Sequence, residues 1–414
     1  MIILKRAGGS RRSRMKESQN LENLWMPFSA NRSFKARPRL MNEAKGVYYK
    51  KVDGTLVLDG TSGLWCCNAG HNHPKIVQAI QNQAGKLDYA PSFQMGHPLG
   101  FKAAEKLLSF SPSSDFQYVF FTNSGSESVD TALKIALGYQ QHRGKKDKKI
   151  LVGRERAYHG VGFGGISVGG LPLNKKHFSL LDNVDHVVTT HNLEKNAFSR
   201  GEPEWGCELA DDLYRIIEKY GADRIAAFIT EPLAGSTGVL IPPKGYLKKI
   251  REICTEHDIL LIFDEVITGF GRLGTPFASH YFDVIPDMIV CAKGLTSGTV
   301  PMGAVMVKQE IYDAFQEGDP KLIDFFHGYT YSAHPLAAAA LIATLEVYHE
   351  EGLFDQAAHM ASYWEDALHS LKGVDHVIDI RNLGFVGGIE MSTQNGKIGK
   401  RGYNVFEKAF HDKN

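Results

Sequence analysis

ILLIFDEVITGFGR, residues 259–272, drives five apolar residues straight into a carboxylate pair, Asp264 and Glu265. An Ile/Leu/Phe run without polar alternation predicts a strand covered on both faces, as in a parallel sheet. A carboxylate at the buried end of such a strand is costly unless a positive group meets it. The fold and the chemistry both turn on what that group is. Outward from this stretch, similar runs recur: YVFFT (118–122), KILVG (149–153), RIAAFITEP (224–232), MIVCAK (288–293) and GAVMV (303–307). Helical patterns such as SESVDTALKIALGYQQ lie between them, which predicts an α/β fold whose mostly parallel sheet is sandwiched by helices.

The flanks read differently. GVYYKKVDGTLVLDGTSG is a hairpin with its turn at Asp53 and Gly54. HPLAAAALIATLEVYHEEG is a strong helix, and HVIDIRNLGFVGGIEM is a pair of short strands. These patterns divide the chain into a disordered basic extension (1–20), the N-terminal part of a small domain (21–68), a large domain (69–330) and the C-terminal part of the small domain (331–414). The segment from His191 to Cys207, with Pro203 and several turn formers, is expected to be a long surface excursion.

Composition narrows the function. With 47 Lys and Arg against 46 Asp and Glu, the formal charge of +1 offers no basic field for nucleic acid. The apolar run LAAAALIATLEVY is shorter than the roughly 18 residues a membrane span needs. The five cysteines, Cys66, Cys67, Cys207, Cys254 and Cys291, show no CxxC spacing and fit a reduced, cytoplasmic setting. HNHP (71–74) places two histidines at i, i+2 without an adjacent carboxylate or thiolate, which is a loop rather than a metal site.

Four features carry chemistry. After the strand ending at Thr122, the turn Asn123-Ser124-Gly125-Ser126 feeds a helix N-terminus, where free N–H groups suit a phosphate or form an ordinary cap. Asp264 either caps a helix or faces a cationic ring nitrogen and holds it protonated. Lys293, in CAKGLTSG, lies between small residues, and a desolvated lysine there becomes a Schiff-base former. Tyr158, in AYHG, is a core aromatic or a platform for a flat ring. One ligand satisfies all four: pyridoxal 5′-phosphate, with phosphate on Gly125 and Ser126, ring against Tyr158 and Val266, ring nitrogen on Asp264 and aldehyde on Lys293.

FDEVITGFGR followed by AKG resembles the class III aminotransferases, enzymes of the pyridoxal-phosphate fold type I. The resemblance covers nearly the whole chain from about Leu21. LWMPFSANRSFKARPRL, SGLWCCNAGHNHP, RAYHGVGFGG and FFHGYTYSAHPLA are similar to the ω-amino acid:pyruvate branch, the β-alanine:pyruvate enzymes above all. The resemblance implies a seven-stranded-type sheet and transfer of an amino group from a β-alanine-like donor to pyruvate by a ping-pong cycle. Taurine:pyruvate or aryl-amine:pyruvate transfer is the alternative. It further implies that Lys293 is the catalytic lysine, that Glu231 lies near the cofactor, and that Trp65 and Phe93 line the substrate pocket. Thr330 is implied to reach the phosphate of a neighbouring subunit, making a homodimer or a tetramer with shared sites.

One departure accompanies these matches. In the family an Arg beyond the helix resembling YNVFEKAFHDKN grips the substrate carboxylate, and no residue up to Asn414 can inherit that role. The chain is therefore expected to be a truncated one, with intact cofactor residues, impaired carboxylate recognition and an unpaired edge at FVGGIEM. A chain that binds the cofactor without turnover is the non-catalytic alternative. GVGFGG (160–165) lacks the GxGxxG spacing of a dinucleotide turn.

Overall fold

The computed structural model describes residues 20–411. The expected basic extension, apart from Asn20, lies outside the described residues.

After a short helix (Asn31–Ala36) come three short strands, β1 (Met41–Lys45), β2 (Tyr48–Lys51) and β3 (Leu56–Leu58), an antiparallel meander. The β2–β3 turn falls at Asp53 and Gly54 as expected. Asp53 Oδ1 accepts the Thr55 N–H at 2.9 Å, and Gly54 takes φ +93°, which costs a side chain but not a glycine.

The central sheet contains β4 (Phe116–Thr122), β5 (Ile150–Arg154), β6 (Val184–Val187), β7 (Ile225–Thr230), β8 (Leu260–Asp264), β9 (Met288–Cys291) and β10 (Gly303–Lys308). Their spatial order is β4-β10-β9-β8-β7-β5-β6, and β10 alone runs antiparallel to its neighbours. Every residue of β7 and β8 is buried, as unalternated apolar runs require. Their side chains still divide by the period of two. Phe228, Leu261 and Phe263 pack with Tyr246 and Ile250 of the Tyr246–Glu256 helix on one face. Ile229, Leu260 and Ile262 pack with Val129, Ala132 and Leu133 of the Gly125–His142 helix on the other.

A third cluster joins Phe121, Ala304 and Met306 to the Pro335–Glu350 helix. That helix is apolar on nearly every side up to Leu345, where it is buried, and its C-terminal Glu346 and Glu350 pair with Lys75. No helix among the described residues is long and apolar enough to cross a membrane. β11 (Val377–Leu383) and β12 (Val386–Met391) form an antiparallel pair, as HVIDIRNLGFVGGIEM predicts.

The His191–Cys207 segment runs over the surface, as its turn formers suggest, but is tied down onto β11. Arg200 forms a parallel bridge with Asn382, the Phe198 N–H donates to Asp379 Oδ1 at 2.6 Å, and Asn196, Pro203 and Gly206 are buried. Most of its backbone bonds among the described residues are local, and these two links to β11 hold it in place.

Phe228→Ala empties a site that is 0% exposed between β7 and the Tyr246–Glu256 helix. Urea unfolding should show a loss of about 3–5 kcal/mol.

Candidate active site

The parallel strands of the sheet all end on one edge, where open α/β sheets bind ligands. The turn after β4 enters the Gly125–His142 helix. Ser124 Oγ accepts the Glu127 N–H at 3.2 Å, while Glu127 Oε2 accepts the Asn123 N–H at 2.7 Å. This capping leaves the first-turn N–H groups of Gly125 and Ser126 without intrahelical acceptors, beside the positive end of the helix dipole. Gly160 approaches from the turn after β5 with φ +83°, and a Cβ there would lie 2.5 Å from Ser126 Oγ. Only glycine permits this approach. The next residue, Val161, donates its N–H to Ser126 Oγ at 3.1 Å.

Asp264 ends β8 and is 5% exposed. Its Cα pairs with that of Val290 on β9, three residues before Lys293. Its Oδ2 lies 2.8 Å from His159 Nδ1, and its Oδ1 accepts the Val266 N–H at 3.2 Å. His159 is buried, and its Nε2 has no partner among the described residues. Nδ1 therefore carries the proton that bridges to the carboxylate. Glu265 points away from this arrangement. It accepts the Ser279 N–H at 2.9 Å and the Thr268 hydroxyl at 2.8 Å, so the second member of the carboxylate pair braces the following turn.

Lys293 follows β9 in a left-handed backbone conformation, φ +49°, and the Gly298 N–H donates to its carbonyl at 3.2 Å. Burial pushes its ammonium pKa down, against the opposing pull of Asp264, Cys66 and Glu231. Glu231, just beyond β7, is 4% exposed, and burial pushes its carboxyl up to about 7. Its Oε2 accepts the Tyr158 N–H at 3.0 Å.

These groups enclose a cavity of about 130 Å³ lined by Gly125, Ser126, Tyr158, Glu231, Asp264 and Lys293, with His159, Gly160, Val266 and Ile267 completing the wall. A helix N-terminus, a buried carboxylate and a desolvated lysine around one hollow fit pyridoxal 5′-phosphate. Gly160 packs its backbone against Ser126 beside the helix N-terminus, and the Gly125 Cα faces Val266, whose methyl carbons would lie 3.0 Å from an added Cβ.

Residues 29–411 match the family model described as aminotransferase class-III. The chain belongs to the class III aminotransferases. These enzymes depend on pyridoxal 5′-phosphate. This aminotransferase is 57% identical over 396 residues to the ω-aminotransferase of Caulobacter vibrioides, covering 95% of this chain and 90% of that one. It is 49% identical to the β-alanine–pyruvate aminotransferase of Pseudomonas aeruginosa, covering 91% and 84%. It is 47% identical to the ω-amino acid–pyruvate aminotransferase of Pseudomonas putida, covering 94% and 86%. Among solved structures, a PLP-bound amine transaminase from an uncultivated Pseudomonas species superposes with a TM-score of 0.85 at 34% identity, covering 92% of this chain and 86% of that one.

Three further residues expected at the site of this aminotransferase do not line the cavity. Trp65 packs against the Phe228 cluster with the Arg272 guanidinium 5.7 Å from its ring. Phe93 is exposed and lies against Gly328. Thr330 is exposed, with its carbonyl accepting the Tyr89 hydroxyl at 3.0 Å. His159, Gly160 and Ile267 belong to the wall although no sequence pattern marks them. The histidine is visible in AYHG, next to the tyrosine, but nothing in one sequence aims it at a carboxylate 105 residues away.

Gly160→Ala should weaken cofactor retention at least about tenfold, since the new methyl group collides with Ser126 at the phosphate end. Titration of the visible cofactor band measures it. In the cofactor-free protein, Glu231 binds its proton more tightly folded than unfolded. Its contribution to stability is therefore full at low pH and is lost as pH rises from about 4.5 towards about 7. Glu231→Gln should flatten that decline in melting temperature.

Proposed function

We propose that this chain transfers the amino group of an ω-amino acid, β-alanine or one like it, to pyruvate in a ping-pong cycle that yields a semialdehyde and alanine. The observation that carries the proposal is that Lys293 and Asp264 line one buried cavity with a helix N-terminus. The donor and acceptor are supported by the similarity to relatives named for ω-amino acid and β-alanine transfer to pyruvate.

When bound, pyridoxal 5′-phosphate supplies an electron sink for the pair left behind as a proton leaves the substrate carbon. The chain's residues do the rest. The N–H groups of Gly125 and Ser126 hold the phosphate against the helix dipole. Asp264 presents its carboxylate to the ring nitrogen and keeps that nitrogen protonated by Coulomb attraction. His159, donating from Nδ1, fixes the carboxylate's orientation and leaves Oδ1 its bond from the Val266 N–H. Tyr158 and Val266 pack on the ring and exclude water.

With the cofactor bound, Lys293 would be the residue that holds its aldehyde and yields that position to the incoming amine. Its Nζ, with a pKa brought down by burial, then moves a proton between the substrate carbon and the cofactor. Glu231, neutral below about pH 7, places no second negative charge beside Asp264 in acid. Trp65 and Phe93 shape the substrate pocket in this reading.

The working unit in this reading is a homodimer in the cytoplasm. Thr330, exposed and outside its own cavity, then reaches the phosphate in the partner.

Lys293→Ala should lower alanine formation from β-alanine and pyruvate by about 10³-fold or more while leaving phosphate-end binding of the cofactor intact. Should taurine or aryl amines react with pyruvate while β-alanine does not, the donor assignment is wrong.

A further inference from the structure

A second cluster of chemically capable side chains lies outside the cofactor cavity. Asp59 follows β3, Cys67 follows the Ser62–Trp65 turn, and His71 is anchored where its backbone pairs with Gly46. One ligand atom from each lies within 4.8 Å of the others. His71 Nε2 is 2.8 Å from Asp59 Oδ2 and its ring packs on Tyr49, centroids 4.3 Å apart, so two of the three groups are already oriented. Ligand atoms around a tetrahedral Zn²⁺ stand about 3.3–3.6 Å apart, given bond lengths near 2.0–2.3 Å, so side-chain movements of about 1 Å close the set.

The backbone between these groups is unusual. Ser62, Gly63, Leu64 and Trp65 occupy φ values of +51°, +56°, +60° and +70° in succession. Left-handed backbone is unfavourable for each non-glycine residue there. The turn is held by the Trp65 N–H on the Thr61 carbonyl at 2.9 Å and the Cys66 and Cys67 N–H groups on the Ser62 carbonyl at 2.7 and 2.9 Å. Its result is to bring the Cys67 sulfur back over the Asp59–His71 pair, under the Gly63 position, where an added Cβ would lie 2.7 Å from Sγ.

One other group of this kind occurs among the described residues: His191, Asp379 and Glu390. Its positive charge is already in place, because the Arg381 guanidinium bonds both carboxylates. Asp59 has no such guanidinium partner among the described residues. The nearby Arg272 spends its NH2 on Ser62 Oγ at 3.1 Å and Asn68 Oδ1 at 2.7 Å. The carboxylate and thiolate absent beside HNHP in sequence are thus supplied by the fold, while all three residues stay partly open to solvent.

We propose that Asp59, Cys67 and His71 form a binding site for one thiophilic divalent cation of the Zn²⁺ class, with a fourth position left to water. Coordination forms a metal–sulfur bond and releases the Cys67 thiol proton to solvent. The oxygen, nitrogen and sulfur donors together favour Zn²⁺ or Co²⁺ over Mg²⁺ or Ca²⁺, which take oxygen ligands.

The test uses the untagged holoenzyme titrated with Co²⁺ and, separately, with Zn²⁺ by calorimetry. The expected result is one ion per chain and a thiolate-to-cobalt charge-transfer band in the near ultraviolet. Cys67→Ser should abolish the band and weaken binding by more than the roughly 10–100-fold that loss of an outer-shell partner costs. His71→Gln should weaken binding in parallel, and both variants should keep the wild-type cofactor band as proof of folding. Absence of the cobalt–sulfur band in the wild type, or binding unchanged in Cys67→Ser, would overturn the proposal.

Discussion

The structure is organised around a negative charge kept where water cannot reach it. Asp264 sits at the end of β8 with both oxygens engaged by protein donors, one from His159 and one from the Val266 backbone. A carboxylate so buried is tolerated because donors from His159 and the Val266 backbone meet it, and in the proposed reading a cationic ring does so as well. The rest of the sheet edge follows from this constraint. β9 must lie beside β8 to bring Lys293 near, and β7 and β5 must end at the same level to present Glu231 and Tyr158.

Strain accumulates where the chain serves this geometry. Lys293 is a non-glycine residue with positive φ directly after a strand, a conformation that is kept only when the surroundings over-determine it. Gly298 on its carbonyl and the buried Leu295 and Thr296 provide that restraint. The same physics places Gly160 against Ser126, where a close backbone approach and a positive φ coincide.

Much of this is legible in the amino-acid sequence because it is local. Buried parallel strands announce themselves as unalternated apolar runs, and the turn residues after them carry the chemistry. Gly125, Ser126, Tyr158, Asp264, Val266 and Lys293 can therefore be named from the residue pattern, Glu231 only through the family resemblance, and all seven fall in one cavity. What sequence does not show depends on pairs brought together by the fold. His159 meets Asp264 across 105 residues, and Asp59 meets His71 across a turn whose left-handed run no pattern predicts. The docking of the His191–Cys207 segment is hidden for a related reason: the strand it is tied to, β11, lies far along the chain. Trp65, Phe93 and Thr330 stand outside the cavity of a single chain, and in the proposed dimer the role of Thr330 belongs to the neighbouring subunit's site.

The central claim is that the Asp264 carboxylate fixes the charge of the cofactor's ring nitrogen. Nitrogen-15 NMR of the enzyme loaded with ring-labelled pyridoxal 5′-phosphate reads that charge directly. The account predicts a nitrogen that stays protonated well above the pH at which the free cofactor loses its proton, and that loses this protection in Asp264→Asn. A ring nitrogen that titrates in the wild-type enzyme as it does in solution would contradict it.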